Sequence, residues 1–78
     1  MREKQLALVI TFHSTTEAMA MERFCTENAL PGRLIPVPGM ITSGCGLAWK
    51  AQPDQRQELL AGMQEAGLQH EQEYIVLI

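Results

Sequence analysis

The sequence predicts an α+β sandwich of ferredoxin-like type, two helices on one face of a four-stranded antiparallel sheet. Three observations carry that expectation. The elements read in the order β-α-β-β-α-β, two strand-helix-strand halves in succession. The first strand is apolar on both faces, as a central strand must be. The second carries two prolines, which confine it to an edge, and a ferredoxin-like strand order of 4-1-3-2 puts the second strand there.

Leu6 to Phe12 forms the first strand, with Leu6, Leu8, Ile10 and Phe12 on one face and Ala7, Val9 and Thr11 on the other. Ser14 to Glu17 then has the spacing of a capping box, in which the Ser14 hydroxyl and the Glu17 carboxylate satisfy amide donors. A helix begins there and runs to about Ala29, with Pro31-Gly32 ending it. Ala18, Met21, Phe24 and Cys25 recur at helical spacing, which assigns the Cys25 thiol to the core. Met19, Met21 and Met63 are read as core filling.

Arg33 to Val37 is short and extended, and Pro36 and Pro38 direct two nitrogens without hydrogens to the same side. Gly39 to Gly44 connects it to a stretch from Cys45 to Gln52. There Leu47, Trp49 and Ala51 alternate with Ala48, Lys50 and Gln52, and the two strands pair as a hairpin. Pro53 and Asp54 start a second helix bearing Leu59, Leu60, Met63 and Ala66, and Gly67 closes it. Tyr74 to Ile78 is the last strand.

The 78 residues suit one domain, 1–78, near the lower limit for folding without metals or disulfides. The net charge is −3 and the six cations are scattered, so no basic nucleic-acid footprint is visible. Arg2 and Lys4, the apolar run from Leu6 and Ala18-Met19-Ala20 imitate a secretory signal. A polar insertion, His13-Ser14-Thr15-Thr16-Glu17, spoils the imitation. No segment approaches the roughly 20 apolar residues of a membrane span. The expected location is the cytoplasm, with no pairing of Cys25 and Cys45 in that reducing compartment.

Cys45 is the residue placed for chemistry. It stands between two glycines in Ser43-Gly44-Cys45-Gly46, which leave the sulfur open to a partner. The expected topology puts three connections on one rim of the sheet: the turn with His13 and Ser14, the connection ending at Cys45, and the turn from Gly67 to His70. A helix N-terminus or a protonated histidine there would favour a thiolate, which makes His13 a candidate thiolate partner and Ser43, Gly44, Gly46 and Ser14 candidate binding positions. One such cysteine and two histidines match no common zinc pattern, and the glycines at 39, 44 and 46 form no phosphate loop. No cofactor or metal is called for.

Several blocks of the sequence resemble a family of small bacterial proteins described as selenium or sulfur carrier-like. The opening Ile10-Thr11-Phe12-His13-Ser14-Thr15 looks like that family's start. Leu34-Ile35-Pro36-Val37-Pro38 followed by Ile41-Thr42-Ser43-Gly44-Cys45-Gly46-Leu47-Ala48 looks like its central motif. The resemblance implies that Cys45 accepts a sulfur or selenium atom as a persulfide or selenosulfide. Its partners would be donor and acceptor proteins, and the chain would act as a cosubstrate rather than an enzyme.

A rival reading needs no thiol chemistry: a module that interacts or dimerises through the sheet. Tyr74, Val76 and Ile78 alternate with Ile75 and Leu77, so both faces of the last strand are apolar. A homodimer through the sheet or last strand fits either reading. A thiol redox role ranks last, because no second cysteine is positioned to resolve an oxidised Cys45.

Overall fold

Leu8, Val9, Ile10 and Phe12 are fully shielded from solvent in the computed structural model, which describes residues 3–78. Arg2, one of the cations of the imitated signal, lies outside those residues. Burying an aliphatic or aromatic side chain of this size contributes roughly 1.5–3 kcal/mol, so this run organises the fold. It is β1 (Leu6–Thr11), which pairs antiparallel with β3 (Leu47–Ala51) on one side and β4 (Gln72–Leu77) on the other. The strand β2 (Arg33–Pro36) pairs with β3, and the four strands lie in the order β2-β3-β1-β4. The α+β class, the two helices and the four-stranded antiparallel sheet agree with the sequence reading, and the proline-bearing strand is an edge.

Both helices cover the same face. Ala18, Met21 and Cys25 of α1 (Thr15–Glu27) and Leu59 and Met63 of α2 (Arg56–Ala66) pack with Leu8, Ile10, Phe12, Trp49 and Ala51 into one cluster. Met19 is not part of it: its side chain is 44% exposed, because it lies one position off the buried stripe. On the opposite face Val9 and Ala48 are covered by Ile41, which the β2–β3 connection lays across the sheet, with Ile35, Val37, Tyr74 and Val76 around them.

Element boundaries moved where backbone geometry overrode side-chain pattern. The third strand begins at Leu47 and not at Cys45, because Gly46 has φ +78°, which breaks the extended run and leaves Cys45 in the connection. The last strand begins at Gln72, since Gln72 and Glu73 pair with Thr11 and Ile10 despite their polar side chains. A single turn of 3₁₀ helix, Pro53–Gln55, precedes α2. The first helix ends at Glu27, ahead of the Pro31-Gly32 stop. Ala29 takes φ +53° there, and the Leu30 amide donates back to the Cys25 carbonyl at 2.9 Å.

Candidate functional site

The Cys45 loop is tied down at three places. Ile41 is buried against Val9 and Ala48 on the outer face of the sheet. The Ser43 hydroxyl donates to the Phe12 carbonyl at 3.2 Å. Gly44 lies so close to the first turn that a Cβ there would sit 2.8 Å from the His13 carbonyl oxygen, and only glycine permits that approach without a shift of backbone. A glycine-rich connection, expected to be loose, is thereby pinned.

Cys45 itself is half-buried. It packs against the helix-side cluster, and its thiol donates to the Leu47 carbonyl at 3.5 Å. A reacting thiolate must turn away from the Leu47 oxygen, which repels it.

His13 and Cys45 belong to adjoining segments but have different partners. The His13 ring nitrogen Nδ1 lies 3.1 and 3.2 Å from the two oxygens of Glu17, and the His13 amide donates to the same carboxylate at 2.7 Å. That backbone bond and the imidazole beside it hold the Glu17 carboxyl below the usual range, against some opposing desolvation. Among the described residues no hydrogen bond joins His13 to Cys45. The Ser14 hydroxyl accepts the Glu17 amide at 3.3 Å, so Ser14 acts as the N-cap of α1. Glu17, already at the positive end of that helix, occupies the place of a stabilised anion.

The third rim turn joins the first through the Glu71 amide, which donates to the Thr11 carbonyl at 2.7 Å. His70 contributes to the field that lowers Glu17, yet its ring bonds Glu73 at 2.7 Å, and Arg56 takes the other Glu73 oxygen at 2.7 Å. The His70 hydrogen bond, aided by Arg56, keeps the Glu73 carboxyl low. The capping box anticipated a Glu17 carboxylate that accepts an amide at the helix start, but not its pairing with the His13 ring, and neither Glu73 pairing was anticipated from sequence. The His13–Glu17 spacing of four residues and the His70–Glu73 spacing of three were the available signals, whereas the Arg56–Glu73 contact joins distant segments.

The other cysteine offers a contrast. Cys25 is 2% exposed, and burial pushes its thiol up to about 11. A concavity of about 880 Å³ lies at the far end of the sheet between the start of β1 and the end of β3, lined by Lys4, Leu6, Arg33, Lys50 and Gln52. It takes no part in the Cys45 loop. Among the described residues no group of three or more His, Cys, Asp or Glu side chains is placed to hold a metal ion, and no helix is long and apolar enough to cross a membrane.

Fold and loop together define a small α+β protein with one half-exposed thiol in a pinned connection. Residues 7–75 match the model of the family described as "Putative Se/S carrier protein-like", and the chain belongs to that family. No curated protein and no solved structure matches it.

Proposed function

We propose that the protein carries a sulfur or selenium atom on Cys45 and passes it from a donor protein to an acceptor protein. The observation that carries this reading is the partition of the two thiols: Cys25 is sealed in the core, whereas Cys45 is half-buried at the sheet rim within the family's matched region. Loading begins when the Cys45 thiolate attacks the terminal sulfur of a donor persulfide. The donor's S–S bond breaks, a new S–S bond forms on Cys45, and the donor leaves as a thiolate. The transferred sulfur brings its own oxidation state, so no added oxidant is needed. An acceptor nucleophile reverses the sequence and releases the Cys45 thiolate. Selenium follows the same course through a selenosulfide.

The pinned loop supports this role by holding Cys45 at one place on a small body that docks onto larger partners. Ser43, Gly44 and Gly46 position the sulfur, and Ser14 orders the adjoining helix end. His13, with Nδ1 engaged by Glu17, serves the thiolate through Nε2. The free thiols favour a reducing compartment, the cytoplasm. The strand order β2-β3-β1-β4 is 4-1-3-2 when counted from the β4 edge, which supports the ferredoxin-like assignment. The rival interaction module draws on the unpaired β4 edge.

One experiment separates the two. Incubated with a cysteine desulfurase and cysteine, the protein gains the mass of one sulfur atom at Cys45, removable by reductant and absent from Cys45→Ser. No sulfur uptake by a folded protein leaves the interaction module, and loading of His13→Gln at the wild-type rate removes the imidazole from the mechanism.

A further inference from the structure

The two edges of the sheet are built differently. In β2 the Val37 amide donates inward to Gly46 at 3.0 Å, so by antiparallel alternation Leu34 and Pro36 turn their backbone groups outward. Pro36 has no N–H to offer on that side. At the other edge Gln5 and Ile78 exchange both bonds, 3.2 and 3.1 Å, and the same alternation turns Ile78, Val76, Tyr74 and Gln72 toward β1. Glu73, Ile75 and Leu77 therefore face outward, each with an N–H and a C=O that no strand in the sheet meets.

The side chains along β4 repeat the contrast. Its span holds one charge, Glu73, and no proline or glycine. Ile75 is 46% exposed and Leu77 53%, and Leu77 pairs with Leu6, itself 56% exposed. They lie on the helix side, beyond the reach of α2, and make a contiguous apolar patch beside open hydrogen-bonding groups. Edges of this kind are usually interrupted by charge, proline or a cover.

We propose that a second copy of this chain pairs antiparallel along β4, about a two-fold axis at Ile75. The outward-facing residues 73, 75 and 77 are symmetric about 75, so the axis sets Ile75 against its own copy and Glu73 against Leu77. Tyr74 then stands opposite Val76 on the other face, an aromatic–β-branched pair. The Glu73 carboxylate, already held by His70 and Arg56, brings no unpaired charge into the joint. A second copy brings the same open edge and the same exposed Ile75 to the joint, apolar surface that an unrelated strand would have to supply separately. Cys45 precedes β3, two strands from the joint, so the pairing leaves the thiol open and stands independently of the carrier reading.

Solution mass by light scattering or sedimentation equilibrium tests it. The wild-type protein is expected at twice the 8.7 kDa chain mass, and Ile75→Pro at the single mass with its circular dichroism unchanged, because the Ile75 N–H points away from β1. Should the proline variant unfold, Ile75→Lys at the same exposed site is expected to give the single mass. A wild-type monomer at high micromolar concentration overturns the proposal. So does a dimer that persists in whichever Ile75 variant folds.

Discussion

The helix interior around Cys25 and the loop around Cys45 hold the same functional group and treat it in opposite ways. Cys25 lies on the buried stripe of α1, where the regular backbone and the sheet beneath it shield the sulfur almost completely. Cys45 is held by a backbone that no regular element could supply, with a glycine at φ +78° after it and another pressed on the His13 carbonyl before it. The difference teaches that periodic structure hides a thiol, while a pinned irregular segment fixes one without hiding it.

The widest separation should come from alkylation of the folded protein. Cys45 is expected to react on the native structure, and Cys25 on the order of a thousandfold more slowly, since it is reached only through opening of the core. Peptide mass spectrometry reads both sites at once, and equal rates would break the comparison. Alkali probes the sealed member further. The folded Cys25 thiol ionises at about 11 against an ordinary 9.0. The stability from keeping it neutral is therefore complete below pH 9 and is lost as pH rises toward 11, by on the order of 2 kcal/mol. The wild-type advantage over Cys25→Ala in urea unfolding should shrink through that window; a flat difference means that the thiol is not sealed. A smaller effect sharpens the other side. Gly44→Ala drives a methyl group at the His13 carbonyl and is expected to cost about 1–2 kcal/mol. Its Cys45 labelling rate should change along with the loop, and wild-type stability with unaltered labelling would show that the close approach positions nothing.

Much of the frame was legible because it rests on local rules. Two apolar faces marked β1 as central, two prolines marked β2 as an edge, and Ser14 opposite Glu17 marked the start of α1. The assignment of Cys25 to the core followed from helical spacing alone. The site was legible as a residue and not as a geometry. That Ile41 crosses to the outer face, that Ser43 reaches the Phe12 carbonyl, and that His13 turns to Glu17 all depend on how distant segments meet in space. Gly46 was visible as a glycine, but its left-handed backbone, which ends the strand short of Cys45, is a property of the folded turn.

Pro36 has a consequence for growth as well as for placement. A sheet with two open edges is a bifunctional monomer, able to add a neighbour on each side and to lengthen without limit. With the Pro36 donor missing, the β2 edge offers a further strand a single outward N–H, that of Leu34, so it is the poorer joint of the two and growth beyond one addition at β4 is disfavoured.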